Sequence, residues 1–224
     1  MSTSELGVAI MAGGAGLRLR TLNGPRPKAL SPFCGHSLLE HQLARTAVLA
    51  PTTTVVLAHH GAAQIQEVVQ NRAQVLIEEH PLGTAGGLFH LPDSPSHWLV
   101  INVDHISDVD LVRLRNGHHG PCTAVVTQVE ITIDEGVVEL AGDRLIHWRE
   151  RPRLPVTATT GLYLFERSAI SRGLSGGRTD MPELVSTLIP DGVRCEHHHG
   201  IWFDAGTPER LQTAAEWWQQ HTRH

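Results

Sequence analysis

A glycine-rich stretch directly after a short hydrophobic run is the feature of the sequence that points most clearly to chemistry. It contains Gly13, Gly14 and Gly16, and two cations, Arg18 and Lys28, follow it. Glycines let the backbone approach a ligand closely, and their N–H groups can surround phosphate oxygens. Because the cations would add positive charge to the same pocket, the stretch predicts a site for the phosphates of a nucleotide.

Two common nucleotide-binding motifs do not describe this stretch. A Rossmann fingerprint needs a third glycine where Leu19 stands. A P-loop needs a glycine and a lysine followed by serine or threonine, whereas Lys28 is followed by Ala29. The glycines and cations therefore predict a different way of holding phosphate.

The elements around this stretch alternate between strand and helix patterns, which is typical of βαβ units on a mostly parallel sheet. Buried strands are predicted over 8–12, 53–58, 75–78 and 99–103, and helices over 37–50 and 62–71. Later strands are predicted over 123–129, 137–140, 145–148 and 160–165, and Thr207 would cap a last helix that includes 211–220. We therefore predict a single α/β domain, 1–224, with a mixed, mostly parallel central sheet flanked by helices. A Rossmann-like nucleotide-binding half would cover about 1–120 and a β-rich half about 121–224.

The composition excludes several classes of protein. The chain has 224 residues, 41% of them hydrophobic, and a formal net charge of -5. This is typical of a globular domain and argues against a cationic surface for nucleic acid. No hydrophobic run approaches the ~18 residues of a membrane span, and the N-terminus lacks the basic segment of a leader. Three widely spaced cysteines predict neither a disulfide framework nor a zinc site and favour a reduced, cytoplasmic location.

Four further segments combine residue types that bind nucleotides and phosphates. They are Glu-Glu-His-Pro-Leu-Gly-Thr-Ala-Gly-Gly at 78–87, Leu-Val-Ile-Asn-Val-Asp at 99–104, Glu-Arg-Pro at 150–152 with Thr-Gly-Leu-Tyr at 160–163, and Trp-Phe-Asp-Ala-Gly-Thr-Pro-Glu at 202–209. With the glycine-rich stretch, this ordered set resembles the signature segments of the sugar-1-phosphate nucleotidyltransferases, also called NDP-sugar pyrophosphorylases. The resemblance extends over nearly the whole chain and is far more specific than any single motif.

The resemblance implies a role for each matching residue. The nucleotide would be bound by Ala12, Gly13, Gly14, Gly16, Glu78, Pro81, Gly83 and Thr84. The sugar phosphate would be bound by Asn102, Glu150, Arg151, Thr160 and Gly161. Arg18, Lys28 and Asp104 would be catalytic. Asp104 and Asp204 would share one Mg²⁺, an ion that prefers oxygen ligands and takes few of them from the protein.

The implied reaction joins a nucleoside triphosphate to a sugar 1-phosphate. A phosphate oxygen of the sugar 1-phosphate attacks the α-phosphorus and expels pyrophosphate. A phosphate monoester is already a competent nucleophile at neutral pH, so catalysis depends on positioning and charge neutralisation and not on a general base. Arg18 would neutralise the departing pyrophosphate, and Lys28 would lie between the phosphates of both substrates.

Three positions depart from the pattern of the family. Val103 stands where the family has glycine, and its side chain is expected to intrude where the substrates approach. Thr160 stands where an asparagine often contacts the sugar. Arg151 replaces a lysine, and its forked guanidinium would hold the acceptor phosphate bidentately. These departures predict an acceptor that differs from the common hexoses.

The segment 81–86 most resembles the group that acts on mannose or D-glycero-D-manno-heptose 1-phosphate with GTP. We therefore expect a guanylyltransferase for a heptose, octose or mannose type of sugar 1-phosphate, either monomeric or a homodimer. Two alternatives stay open: a uridylyl- or cytidylyltransferase for another sugar phosphate, and a non-catalytic sugar-nucleotide sensor. Lys28 is the only lysine among 18 basic residues, so we expect its compact ammonium to be required where it stands.

Overall fold

The computed structural model describes residues 5–14, 16–19, 24 and 26–221, so Ala15 of the glycine-rich stretch lies outside the described residues. In the described part, the strands are β1 (Leu6–Met11), β2 (Pro32–Phe33), β3 (His36–Ser37), β4 (Thr53–Ala58), β5 (Gln74–Ile77), β6 (His97–Asn102), β7 (His105–Ser107), β8 (Cys122–Thr132), β9 (Val137–Ala141), β10 (Arg144–Arg149), β11 (Arg153–Glu166), β12 (Arg194–His198) and β13 (Trp202–Asp204). Seven of them form the central sheet, in the order β12-β8-β11-β6-β1-β4-β5. Within it β11 runs antiparallel to β6 and β8, and the other pairs are parallel, which confirms the predicted mixed, mostly parallel sheet.

The four strands predicted in the first half match β1, β4, β5 and β6 to within two residues at each end, whereas the short β2, β3 and β7 were not predicted. β1 lies between β4 and β6, where Ile10 is opposite Val56 on one side and Ile101 on the other. The central residues of these strands are apolar because both faces of the parallel sheet are covered. Val8 and Ile10 belong to one buried cluster, while Ala9 between them belongs to the cluster on the opposite face. Their burial fixes the register and therefore the position of each strand end.

The second half contains a longer strand than predicted. β11 extends from Arg153 to Glu166, whereas its prediction began at Thr160. Residues 153–159 alternate between exposed and half-buried, and Pro155 and several threonines interrupt any apolar run, so the hydrophobic signal is weak there. Beside it, β9 and β10 form a separate two-stranded sheet, as predicted, which we call the hairpin.

The helices are α1 (Leu38–Thr46), α2 (Ala62–Val69), α3 (Leu111–Gly117), α4 (Arg167–Gly173), α5 (Met181–Leu188) and α6 (Pro208–His221). The predicted helices over 37–50, 62–71 and 211–220 are confirmed, although a 3-10 turn replaces the last part of the first. Ser37 and Glu40 form a capping box at the start of α1, which fixes where that helix begins. The helices α3, α4 and α5, which are only seven or eight residues long, were not predicted.

Two buried clusters cover the two faces of the sheet. On the first face Trp218 of α6 packs against Phe33 and His41, so this tryptophan holds its helix against the core. On the second face α4 and α5 cover β6 and β11 through Ile170 and Leu184. Among the described residues, none of the helices has the length and apolar composition needed to cross a membrane.

Candidate active site

The carboxyl ends of the parallel strands open into a cavity of about 720 Å³. Ligands of open α/β sheets bind at this edge, because loops from neighbouring strands diverge there and leave a crevice. The predicted residues that line the cavity are Ala12, Gly13, Gly14, Arg18, Lys28, Glu78, Pro81, Gly83, Thr84, Asn102, Asp104, Thr160, Gly161 and Asp204. The fold therefore brings together residues that are far apart in sequence, and the roles implied for them stay predictions.

Two carboxylates and two cations meet in this cavity. Asp104 follows β6, and its carboxylate accepts a hydrogen bond from Nζ of Lys28. Asp204 ends β13, which pairs with β7 just after Asp104 and so carries the second carboxylate to the first. A Cβ atom on Gly206 would lie 2.8 Å from Asp204 Oδ1, 3.3 Å from Asp104 Oδ2 and 3.4 Å from Arg18 Nη2. Only glycine leaves room for all three groups to converge.

The electrostatics of the two carboxylates differ. Burial raises the pKa of Asp104 above its ordinary value, and it outweighs the charge of Lys28, which acts in the opposite direction. Burial would also raise the pKa of Asp204, but the hydrogen bond with Asp104 and the charges of Lys28 and Arg210 outweigh it and lower that pKa. The guanidinium of Arg210 lies 2.9 Å from Asp204 Oδ2. Two neighbouring carboxylates repel each other, so the pair favours a bound cation.

A helix side chain fixes the loop that carries Asp104. The buried amide of Gln42, on α1, donates hydrogen bonds to the backbone carbonyls of Val103 and His105, the first over 3.3 Å. The side chain of Val103 is 3% exposed and packs in the first buried cluster. The expectation that Val103 intrudes on the substrates is therefore wrong, because its side chain points into the core.

The carbonyl of Thr160 joins two cavity residues on the acceptor side. It accepts hydrogen bonds from Nε1 of Trp202 over 3.0 Å and from Nδ1 of His105 over 2.7 Å. Burial lowers the pKa of His105 to about 3, so its imidazole is neutral at physiological pH. The Thr160 hydroxyl donates to the carbonyl of Val125 over 3.1 Å. Since this hydroxyl is bonded to the sheet, it does not take the place of an asparagine amide.

Gly161 allows the Asn102 side chain to lie directly beside β11. Its φ is +82°, and a Cβ atom there would clash with the Asn102 amide. The glycine therefore leaves the amide of Asn102 at the cavity, two positions before Asp104 in sequence.

Glu78 lies in the cavity wall beside the glycine-rich stretch. It follows β5, is 9% exposed, and its Oε2 would lie 3.7 Å from a Cβ atom on Gly13. Burial raises the pKa of Glu78 above its ordinary value. The Nδ1 atom of His59, which follows β4, lies 2.7 Å from the Glu78 carbonyl oxygen. Carboxylate, imidazole and glycine backbone thus meet beside the glycine-rich stretch.

The segment that follows Glu78 is bonded to a loop of the second half. The Thr84 amide and hydroxyl donate to Asp180 Oδ1 over 2.9 and 3.2 Å. The Thr179 carbonyl accepts from the amides of Ala85 and Gly86, each over 3.0 Å, and its own amide donates to Leu82. These bonds hold both segments in one wall of the cavity.

Three predicted residues do not line the cavity. Glu150 lies just after the hairpin, where its carboxylate accepts a 2.9 Å bond from the Trp148 indole. Arg151 is exposed and paired with Asp134 over 2.6 Å. Since both side chains extend from the exposed hairpin and its base, the structure does not bring them to the predicted sugar-phosphate site. Gly16 instead packs on Lys28, where a Cβ atom would lie 2.7 Å from the Lys28 Cβ.

Several cavity residues were not predicted. They include His59, His60, Tyr163, Arg178 and Trp202. The two histidines directly follow a buried parallel strand, so their position at a strand end could have identified them. Arg178 lies in a loop with no strand or motif beside it, and the sequence offers no signal for it.

Comparison with known proteins decides the family. A family model described as "Nucleotidyl transferase" matches residues 8–221. The chain belongs to the nucleotidyl transferase family. This agrees with the resemblance that the five sequence segments carry.

Similar sequences carry related names. The mannose-1-phosphate guanyltransferase beta-B of Xenopus laevis is 31% identical over 96% of this chain and 65% of its own length. A putative mannose-1-phosphate guanyltransferase of Sulfolobus acidocaldarius is 30% identical over 89% of this chain and 59% of its own length. A mannose-1-phosphate guanylyltransferase of Mycobacterium tuberculosis is 28% identical over 93% and 63%. The chain thus spans less than two thirds of the length of these relatives.

Solved structures of nucleotidyl transferases have the same fold. A putative glucose-1-phosphate thymidylyltransferase from Bacillus anthracis, in complex with sucrose, superposes with a TM-score of 0.76 at 20% identity, over 95% of this chain and 94% of that one. HddC from Yersinia pseudotuberculosis, complexed with GMP-PN, superposes with a TM-score of 0.72 at 20% identity, over 95% and 99%. These superpositions confirm the predicted α/β fold.

Proposed function

We propose that the chain transfers a nucleoside monophosphate, most favourably GMP from GTP, to a mannose or heptose type of sugar 1-phosphate. The observation that carries this proposal is the convergence of Arg18, Asp104 and Asp204 around Gly206, with Lys28 bonded to Asp104. Two carboxylates and two cations in one cavity suit a reaction whose main requirement is to neutralise phosphate charge. The names of the similar sequences support the choice of mannose and guanosine.

The reaction forms one phosphorus–oxygen bond and breaks another. An oxygen of the sugar phosphate attacks the α-phosphorus of the triphosphate, and the bond to the bridging oxygen breaks as pyrophosphate leaves. Lys28, whose ammonium already touches Asp104, neutralises charge between the two substrates. Arg18, whose guanidinium lies beside Gly206 in the same cavity, stabilises the departing pyrophosphate. Attack in line requires that the two substrates approach from opposite sides of the cavity.

Asp104 and Asp204 fit a magnesium ion. Both offer carboxylate oxygens, and both lie beside the space that Gly206 leaves open. Hard oxygen donors of this kind suit Mg²⁺, which keeps its other positions for water and phosphate. When bound, the ion would neutralise negative charge on the triphosphate.

Glu78 supports the choice of guanine. The Watson–Crick edge of guanine presents two adjacent donors, N1–H and the N2 amino group, to which one carboxylate can bind bidentately. Uracil, adenine and cytosine each present only one donor group on that edge, so a carboxylate cannot bind them bidentately in this way. We infer that Glu78, packed between Gly13 and Gly87, reads the base in this way.

The experiment is a matrix of the four ribonucleoside triphosphates against several sugar 1-phosphates, with Mg²⁺ present and pyrophosphate release as the readout. We expect the highest kcat/KM with GTP and with mannose or heptose 1-phosphate. Asp104→Asn serves as the inactive control. Absence of pyrophosphate from every pair refutes the enzyme, and nucleotide binding without turnover would indicate the regulatory alternative. A preference for UTP or CTP would contradict the role given to Glu78.

The cytoplasmic location and the homodimer belong to the same proposal. Within the described residues the cysteines Cys34, Cys122 and Cys195 are all free thiols, which suits a reducing compartment. Light scattering on the purified chain would give its mass in solution and decide between monomer and dimer.

A further inference from the structure

His105 is a buried side chain that connects the two carboxylates of the cavity with the strand beside them. It follows Asp104 directly, is 1% exposed, and lies opposite Asp204 in the pair that β7 forms with β13. Its ring reaches the carbonyl oxygen of Thr160 on β11. No step of the proposed reaction uses this ring, although it lines the cavity.

The hydrogen bonds of His105 favour one form of its ring. The carbonyl oxygen of Thr160 can only accept, so Nδ1, which lies 2.7 Å away, carries the proton. Nε2 lies 2.7 Å from the Ser107 hydroxyl and accepts from it. That hydroxyl oxygen accepts in turn from Nη2 of Arg45 over 2.8 Å and from the amide of Val109 over 3.3 Å. Because a charged ring would have to donate to an oxygen that already accepts twice, these bonds keep the ring neutral and fix its orientation.

The carbonyl of Thr160 belongs to a bulge in β11. Residues 160–162 of β11 lie opposite the single residue Val125 of β8. The Val125 carbonyl accepts from the Thr160 hydroxyl over 3.1 Å, so a side chain replaces part of the backbone pairing. Bulges bend a strand and re-aim its groups, and they are frequent next to active sites. The Thr160 carbonyl is thereby directed at the sheet of β7 and β13, where His105 and Trp202 both donate to it.

The bond between His105 and this carbonyl joins two parts of the cavity whose distance matters for the reaction. On one side are Asp104, which precedes β7, and Asp204, which ends β13. On the other side is the acceptor wall, which we define as Asn102, Thr160 and Gly161, the cavity residues expected to bind the sugar phosphate. The carboxylates are expected at the α-phosphorus and the wall at the attacking oxygen. A shift between the two parts would misalign the substrates, and a displacement of about 1 Å can cost ~10²-fold in rate.

We propose that His105 is a positioning residue that holds the acceptor wall at a fixed distance from the two carboxylates. This inference rests on the proposed function and names the residue that aligns its two substrates. The ring acts through the Thr160 carbonyl and transfers no proton to a substrate, because both of its nitrogens are bonded within the protein. Through Ser107 and Arg45 the wall is anchored to α1. Loss of the bond should therefore impair use of the sugar 1-phosphate and leave binding of the nucleotide intact.

The test replaces the ring by side chains that keep one end of it. His105→Asn keeps an N–H donor near the position of Nδ1, whereas His105→Gln places its amide near that of Nε2. His105→Gln should lower kcat/KM for the sugar 1-phosphate roughly 10-fold, the effect of one lost buried hydrogen bond, and leave the KM for GTP within about 3-fold. His105→Asn should recover most of that loss, and His105→Leu, which has no donor, should recover none of it. Steady-state kinetics with each substrate varied in turn measures these effects.

His118 provides the matched control. It is a half-buried histidine outside the cavity, and its Nδ1 lies 2.8 Å from the hydroxyl of a threonine, Thr123. His118→Asn and His118→Gln should both leave kcat/KM for the sugar 1-phosphate within about 3-fold of the wild-type value, because this bond does not reach the acceptor wall. Thermal unfolding of every variant separates a loss of stability from a loss of alignment.

The two polar variants of His105 decide the matter. Equal losses from His105→Asn and His105→Gln overturn the proposal, because the volume of the ring and not its bond to Thr160 would then be what matters. Wild-type kinetics in both variants overturn it as well. A rise in the KM for GTP as large as that for the sugar 1-phosphate also contradicts it, since the ring would then act on the whole cavity. If the wild-type protein turns over none of the substrates, it is the proposed function that fails.

Discussion

Lys28 and Arg151 are both cations next to an aspartate, yet their surroundings differ in every other respect. The side chains of Lys28 and Asp104 are 19% and 12% exposed, at the carboxyl edge of a seven-stranded sheet. The side chains of Arg151 and Asp134 are 65% and 74% exposed, at the base of a two-stranded hairpin. A pair in a cavity acts on a ligand through a medium that screens weakly, while an exposed pair is screened by water.

The difference follows from what lies beneath each residue. Asp104 follows β6, a strand buried on both faces, and the Gln42 amide fixes the next turn of backbone. β10 is exposed along its whole length, and a two-stranded sheet alone is only marginally stable. The cation beside the buried strand end is therefore held in a fixed position at the cavity, whereas the cation on the hairpin is not.

The largest expected effect comes from the carboxylate of the buried pair. Asp104→Asn should lower kcat at least ~10³-fold, because it removes charge where the phosphate charge is neutralised. Pyrophosphate release at saturating substrates measures it, and thermal unfolding checks the fold. Asp134→Asn, the corresponding change at the exposed pair, is the matched control. Comparable losses of kcat from the two substitutions would contradict the difference proposed between the buried and the exposed pair.

The second effect concerns the two cations. Lys28→Arg should lower kcat ~10²-fold or more, because a forked guanidinium does not fit where a compact ammonium touches Asp104. Arg151→Lys should change kcat less than about 3-fold, since its partner is exposed. Steady-state kinetics on both variants measures this. Equal tolerance at the two positions would make the single lysine an accident of composition.

The buried side should also be sensitive to acid. Burial lowers the pKa of His41 and His118 to about 4 and that of His105 to about 3, from an ordinary value of 6.5. As the pH falls, these histidines take up protons in the unfolded chain before they do so in the folded chain. The free energy of unfolding is therefore highest above pH 6.5 and decreases as the pH falls from 6.5 toward 4. The shift at His41 alone would lower the free energy of unfolding by about 3 kcal/mol in total over this pH range.

Urea denaturation between pH 4 and pH 8 measures the acid slope. His41→Phe, which keeps a ring beside Phe33 and Trp218, should reduce the slope without moving its upper limit. An unchanged slope in this variant would show that His41 titrates normally in the folded protein.

The smallest effect is expected from the exposed pair itself. Asp134→Ala should change the free energy of unfolding by less than about 1 kcal/mol, because exposed ion pairs contribute little and salt screens them. Chemical denaturation at low and high salt measures it. A loss several times larger would mean that the hairpin is covered in solution and that its charges are less exposed than in the isolated chain.

The sequence predicted the site best where a candidate functional residue directly follows a buried strand. Gly13, Glu78 and Asp104 each come directly after an apolar run, and a parallel sheet places all such positions at one edge. Asp204 was found by its segment, and its strand β13 is only three residues long and pairs with the equally short β7. Such pairing depends on a long-range contact that no local pattern records.

The positions of Arg151 and Arg178 could not be predicted for a related reason. Both lie in loops whose direction depends on how the second half packs. The first part of β11 is too polar for its start to be predicted, so the packing of that half could not be predicted either. Val103 was misjudged because its side chain packs in the first buried cluster, although it stands between two cavity residues, Asn102 and Asp104. Side-chain direction at a strand end depends on register, and register is set by the neighbouring strands.

The indole of Trp202 gives the cavity an optical property. Its N–H is bonded to the Thr160 carbonyl, so the ring is held at the acceptor wall and half-shielded from water. A ligand that displaces water from this wall changes the polarity around the ring, and indole emission responds to polarity. Titration of the sugar 1-phosphate should therefore shift the fluorescence of the wild-type chain and leave that of Trp202→Phe unchanged, which would report acceptor binding without any turnover.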